Sequence, residues 1–423
     1  VTATASTPTL QLRTSLTWLR RFARTTPGVV VMVAVTVAAT CTIAGAVCAA
    51  QLDERIAARN AVLDRSEPFA YAAQNLYAAL SAIDAAAATA FLSGGAQTSP
   101  MRTRYRQALA AASAALADAT AGATDIDTRA AVAEISNQLL VYTGLVEAAR
   151  ANDVQRFPVG SAYLREASSL MQTELLPGAE KIFADRIAAV EEGQREVAAT
   201  PIAAYLLLGL ALVALGVASV VMLAHTNRRF NVGLVVAAVA VVLAAGWVVV
   251  ATHVATTEIE RAHDEGTVRF AALAQARILA QRARTVEILH LIAHGDITAA
   301  DQSFTAHLDG LTSTLRATPS GATASVGAWT HSHRRQVDAY VGGDYPGAVA
   351  MAIGPDPRGS AAQYDTVESA LRDEIQQARA TLRGHASAAG VALAWGPTGT
   401  LLLMIAAAVA TVLGLWPRLK EFL

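Results

Sequence analysis

IAAYLLLGLALVALGVASVVMLAHTNRRFNVGLVVAAVAVVLAAGWVVVATHV, residues 202–254, is the most telling stretch of the chain. It holds two uncharged runs, Ile202–Ala224 and Val232–Val254, joined by His225–Asn231, where Arg228 and Arg229 stand side by side. A helix rises about 1.5 Å per residue and the hydrocarbon layer is about 30 Å thick, so each run has the length of one crossing. Lys and Arg mark short cytoplasmic segments. The stretch reads as a transmembrane hairpin with its turn inside.

Two further uncharged runs, 28–50 and 388–416, make four spans in all. The expected order is a cytoplasmic segment 1–27, span 28–50, an outside segment 51–201, span 202–224, a cytoplasmic hairpin 225–231, span 232–254, an outside segment 255–387, span 388–416 and a cytoplasmic tail 417–423. The segments placed inside hold Arg13, Arg20, Arg21, Arg24, Arg228, Arg229, Arg418 and Lys420 against one acid, Glu421. Of 33 basic and 34 acidic residues in the 423-residue chain, 25 and 33 then fall to the two long segments, which are net acidic. Acidic segments outside and basic ones inside agree with one orientation, both termini cytoplasmic.

Composition narrows the function. Hydrophobic residues are 53% and charged residues 16%, with a mean hydropathy of +0.37, as a multi-pass membrane protein requires. A net charge of -1 gives no basic surface for nucleic acid. The two cysteines, Cys41 and Cys48, lie in the first span, which excludes a disulfide-stapled domain or a multi-cysteine metal site. No span carries Asp, Glu, Lys or Arg, which argues against a conduction pathway. Small residues at Ala34/Ala38, Gly209/Gly216 and Ala406/Ala410/Gly414 share helix faces and permit close packing in the membrane.

Both long segments are patterned as helices. Leu76, Leu80, Ile83, Ala87 and Ala90 recur at steps of four and three, as do Leu164, Ala167, Met171 and Leu175. Breakers at Ser93–Gly95, Gly122 and Asn152–Pro158 divide the first segment into four helices, the outer two of which, 51–92 and 158–200, are expected to run straight into spans one and two. The second segment has the same plan, with Ala272, Ala276, Leu279, Ala283, Val286, His290 and Ala293 on one stripe and a Gly/Pro-rich connector at 342–359. Landmarks repeat about 200 residues apart: Gly28 and Val232, Gly94 and Gly295, Gly160-Ser161-Ala162 and Gly359-Ser360-Ala361. The expected fold is an all-α membrane protein with two tandem extracytoplasmic four-helix bundles, an internal duplication.

AFLSGG at Ala90–Gly95, followed by YRQAL at Tyr105–Leu109 and framed by two spans, resembles the four-helix sensor modules of bacterial chemoreceptors and histidine kinases. LIAHGD, Leu291–Asp296, is a looser copy. Those receptors work as homodimers with two bundles and four spans, the set that this one chain supplies, so the resemblance implies a covalently fused pseudodimer. They continue into a large cytoplasmic signalling domain, whereas these 423 residues leave no room inside for a nucleotide loop, a phosphoacceptor helix or a methylation region. The layout is similar to the GlnX-type transmembrane sensors of mycobacteria. That resemblance implies a glutamine-binding-type solute-binding lipoprotein outside, responsive to aspartate and glutamate, and a soluble Ser/Thr kinase inside as partners.

The expected role is therefore a non-enzymatic sensor without cofactor or metal, relaying amino-acid availability by helix movement, with homo-oligomers open to it. Direct small-molecule sensing and a transporter-accessory or scaffold role are the alternatives. Contact residues are sought first in the connectors: Gly94, Gly95, Asp153 and Arg156 in the first segment, Asp344, Tyr345, Asp356 and Arg358 in the second. Arginine forks suit carboxylates. Arg102, Arg104 and Arg106 open one helix, and Arg277 and Arg284, seven apart with Arg282 nearby, share a face of another; a solvated helix surface is the reading the sequence favours for both groups, with a carboxylate contact as the alternative. His290 with His294 and His331 with His333 lack a third metal ligand, and His290 reads as a core or interface group. Arg228 and Arg229 are the expected cytoplasmic contact, besides their topological role.

Overall fold

The computed structural model describes residues 26–93, 99–155, 159–226, 231–293 and 295–420, and among these it is helical with no strand. The helices are α1 (Thr26–Ala61), α2 (Glu67–Leu92), α3 (Ser99–Gly122), α4 (Ile126–Val154), α5 (Val159–Leu170), α6 (Leu176–Ala198), α7 (Ile202–Thr226), α8 (Val232–Arg261), α9 (Val268–Ala293), α10 (Thr298–Ala317), α11 (Ala322–Val341), α12 (Tyr345–Ile353), α13 (Ser360–Leu393) and α14 (Gly396–Lys420). Wider π turns at Val62–Ser66, Met171–Leu175 and Ala262–Thr267 link α1 to α2, α5 to α6 and α8 to α9 without a break. Four helical stretches are long and apolar enough to cross a membrane: Gly28–Leu92, Val159–Ala224, Val232–Ala293 and Ser360–Pro417. The chain is a multi-pass membrane protein by this measure. The described residues within Val1–Arg59, Arg195–Ile259 and Ser387–Leu423 form one compact unit, and those within Asn60–Gln194 and Glu260–Ala386 form a second.

In the first unit α1 buries Val30, Ala34, Val37, Cys41, Ala44 and Cys48, a stripe at steps of four and three. Lipid offers no hydrophobic drive between helices, so small residues set where backbones meet. A Cβ on Gly233 would lie 2.4 Å from the Gly414 Cα, and one on Gly45 would lie 2.7 Å from the Met404 Cβ. The α8–α14 crossing is fastened by Asn231, whose Nδ2 donates to the Gly414 carbonyl at 3.0 Å while its Oδ1 accepts from the Gly233 N–H. Gly414 therefore serves as expected, whereas Gly209 and Gly216 have open space where a Cβ would be. The expected straight run into span two also fails. Residues 199–201 interrupt it, because Pro201 has no N–H to continue the ladder, and 394–395 interrupt the return into α14.

The second unit holds most of both long segments. Its centre is the pair α2 and α9. Phe69, Ala73, Leu76, Leu80, Ile83 and Ala87 on α2 and Leu273, Ala276, Ala280 and Ala283 on α9 are buried at heptad steps, the spacing of a coiled-coil seam. Gln74 meets Arg277 and Tyr77 meets Arg282, so the numbering advances together and the two helices are parallel. Each fully buried Leu, Ile or Phe contributes about 1.5–3 kcal/mol. Phe183 meets Phe270 edge to face at 5.8 Å, and Phe304 meets Trp329 at 5.4 Å. Asp125 caps α4, accepting from the Thr128 N–H and Oγ1 at 2.8 Å each.

The connector 342–359 is a further departure. It contains α12, because Asp344 accepts from the Gly347 N–H at 2.9 Å as an N-cap and Pro346 opens the first turn with its φ already helical. Gly343, at φ 84, supplies the left-handed turn before it. Ala348 and Ala352 bury the inner face of α12 against Leu291.

Candidate functional site

α9 carries an unusual inward face. Arg277, Gln281 and Arg284 stand at i, i+4 and i+7 and are 4%, 3% and 6% exposed, so the solvated surface read from the sequence is overturned. They line a cavity of about 630 Å³ inside the second unit. α2 contributes Asn75, Ala78 and Ala82, α3 contributes Arg104, Ala115 and Asp118, and α13 contributes Tyr364, Asp365, Glu368 and Arg372. Ile353 of α12 adds to the wall. Alanine at successive turns of α2 and α3 leaves the space that larger side chains would fill.

Both buried arginines of the cavity are held. Arg277 Nε donates to Glu368 Oε1 at 2.7 Å, its Nη2 makes a second, very short bond to the same oxygen, and its Nη1 donates to Gln74 Oε1 at 2.9 Å. Arg284 Nη1 donates to Glu287 Oε2 at 2.6 Å and Nη2 to the Ala352 carbonyl at 2.8 Å, with the guanidinium 5.6 Å from the Tyr364 ring centre. Buried ions need this much pairing, since desolvation costs several kcal/mol per charge.

Behind Arg284 lies a closed polar network around Glu287, which is 0% exposed. Burial opposes its charge, yet hydrogen bonding from His333 and the Arg284 charge hold the carboxyl down at about 2. His333 Nδ1 lies 3.0 Å from Glu287 and Nε2 3.3 Å from Asp301, and the ring stacks on Phe304 at 3.5 Å. Trp329 Nε1 and Ser360 Oγ donate to Glu287 as well. At the cavity, loss of water pushes the Asp365 carboxyl up, with Arg284 and Arg104 pulling the other way.

Of the sequence candidates, Arg277, Arg284 and Arg104 come together here. The connector residues do not. Asp344 caps α12, Tyr345 donates to the Leu291 carbonyl at 2.9 Å, Asp356 accepts from the Arg358 N–H at 2.9 Å, and the Arg358 carbonyl accepts from Ser332 and Arg335. These are turn and capping roles, and contacts that tie the connector to α9 and α11. Arg282 bonds Tyr77 and Glu180. His290 is half-buried beside Tyr340, and burial lowers its pKa. Gly94, Gly95, Arg156, Arg228 and Arg229 lie outside the described residues, as do His294 and the side chain of Arg102.

Asp153 lines a second cavity of about 580 Å³ with Phe91, Tyr105, Arg106 and Leu109, the residues of the AFLSGG and YRQAL stretches. Desolvation raises the Asp153 carboxyl and takes the Tyr105 phenol to about 12. Gln281, Tyr364, Asp365 and Glu368 escaped the sequence reading. Gln281 was findable, being on the helix face that Arg277 and Arg284 share; the α13 residues were not, because only tertiary packing turns them towards α9.

Residues 58–195 match the family model described as Actinobacterial sensor domain. The match covers the first long segment, α2 to α6, and supports a sensing role for a multi-pass membrane protein of actinobacterial type. No curated protein and no solved structure matches the chain.

Proposed function

We propose that this chain is a non-enzymatic transmembrane sensor whose second unit lies outside the cell and reads a small solute at the cavity between α2, α3, α9 and α13. One observation carries the reading: the cavity is walled by helices of both long segments, so a ligand there bears on how the segments pack. Differential affinity for two packings is what a sensor needs, and a typical coupling is about 1–3 kcal/mol. The halves act as a fused pseudodimer, a reading supported by the π turns at Val62–Ser66 and Ala262–Thr267, by interrupted returns at 199–201 and 394–395, and by the parallel α2–α9 pair. The unbroken stretches Gly28–Leu92 and Val232–Ala293 are the transmitting elements, through shifts of about 1–2 Å.

By the GlnX-type resemblance, the solute is aspartate or glutamate, presented by a solute-binding lipoprotein, and the readout is a cytosolic Ser/Thr kinase. The test is Ala86→Trp, which fills the cavity from α2. Cells carrying it should need about 5-fold or more extra external aspartate or glutamate for the same phosphorylation of kinase substrates, at unchanged membrane abundance. An unaltered dose response would overturn the reading. Recovery of no periplasmic binding protein with the tagged chain, with or without the amino acids, would remove the lipoprotein from it.

A further inference from the structure

The notable property of this cavity is which hydrogen-bonding capacity is spent and which is left. Arginines in a sensor pocket invite a carboxylate, yet both buried ones are already committed, Arg277 to Glu368 and Gln74, Arg284 to Glu287 and the Ala352 carbonyl. Three guanidinium nitrogens, two from Arg277 and one from Arg372, converge on Glu368 Oε1. The other oxygen, Oε2, is buried with no donor, and so is Gln281 Oε1. Both residues line the cavity. A buried acceptor without a donor has lost its water and gained nothing in return, more so when charged, so the two together favour an occupant that brings N–H groups. Asp365 adds a further carboxylate on the same face of α13, one turn before Glu368, and the Tyr364 ring supplies a π face.

Resting on the cavity reading above, we propose that the floor of this site takes a primary ammonium group, at Gln281 and Glu368, and that the buried arginines position those acceptors and do not receive a ligand carboxylate. Ammonium brings three donors and a positive charge, which the lone Glu368 oxygen and the Gln281 amide oxygen match. The two sources of such a group are a free alkylamine and the zwitterion of an α-amino acid. Arg104 and Arg372, the exposed arginines among the lining residues, separate them, since only a zwitterion has a carboxylate to offer there.

Purified full-length chain in lipid nanodiscs is titrated calorimetrically with the common α-amino acids, the matching carboxylic acids without the amine, and short primary alkylamines. Binding is expected only from compounds that carry the amine. Gln281→Leu leaves the Arg277–Glu368 pair in place and should weaken them at least 10-fold without lowering Tm; Glu368→Gln, which keeps the shape, should do the same wherever it folds. Arg104→Ala weakens amino acids but not alkylamines if the ligand is a zwitterion, and neither if it is a free amine. Amine-free acids that bind as tightly as amino acids, no binding by any amine, or Gln281→Leu binding unchanged would overturn the assignment. If amine-free acids bind and Ala86→Trp blocks them, the cavity reading survives without the ammonium; if amines bind Ala86→Trp undiminished, the cavity itself is the wrong site.

Discussion

Asp84 shows what a single buried charge does in this bundle. It is 1% exposed on α2 and accepts from Ser168 Oγ at 2.8 Å, Tyr142 OH at 3.2 Å and Gln172 Nε2 at 3.3 Å. Burial raises its carboxyl, and the three donors recover only part of the loss. With the folded pKa above the unfolded one, the folded state binds the proton more tightly, so stability falls as pH rises through that window and the deficit persists above it. Asp84→Asn keeps the acceptor oxygen without the charge. Thermal unfolding of the full chain should show the variant more stable at pH 7–8 by about 1 kcal/mol, the ordinary size of a single-site effect. The gain should shrink as pH is lowered towards the carboxylate range. An equal Tm across pH would mean that the charge is fully compensated. Glu287 is the opposite case, since His333 and Arg284 hold its carboxyl down at about 2 and its contribution is lost only in acid.

Among elements, the π turns are where long helices adjust their phase without stopping. An extra residue in the turn rotates the helix beyond it, so the turn Ala262–Thr267 sets the phase in which the apolar stripe of α9 faces α2. Gly266 in the turn Ala262–Thr267 sits so near α13 that a Cβ would come 2.6 Å from the Leu382 Cβ and 2.7 Å from its Cα. Gly266→Ala has to push α13 away, at a cost of about 1–3 kcal/mol, and should lower the Tm of the full chain in detergent. Gly384 on the same partner helix has open space at its Cβ position, and Gly384→Ala serves as the control that should not destabilise. Equal Tm values for the two variants would show that α13 yields without cost at Leu382.

For the whole molecule, sidedness decides whether the cavity can meet a solute outside the cell. Cys41 and Cys48 are buried, so a chain with both replaced by alanine gives a clean background. In it, Arg334→Cys on α11, an exposed position, should react with an impermeant maleimide on intact cells, and Arg228→Cys only after permeabilisation. The reverse pattern would put the cavity in the cytosol and end its reading as an outside sensor. The net-acidic composition of the long segments and the basic hairpin at Arg228 and Arg229 point to the first outcome.

Four helices long and apolar enough to cross a membrane, and the helical build of the described residues, were legible in the chain alone, because hydropathy over about 20 residues and apolar steps of three and four depend only on local sequence. The α2 stripe through Leu76, Leu80 and Ile83 was readable for the same reason. The cavity was not. Arg277 and Arg284 could be placed on one face of α9, but whether that face met water or another helix depends on which segments pack together, and residues about 200 apart in sequence settle it. Nor could composition reveal that 342–359 hides a helix whose Ala352 carbonyl anchors Arg284. Pairing decides which polar atoms are satisfied, so the two acceptors left without donors, on which the ligand chemistry turns, became visible only once the helices were in place.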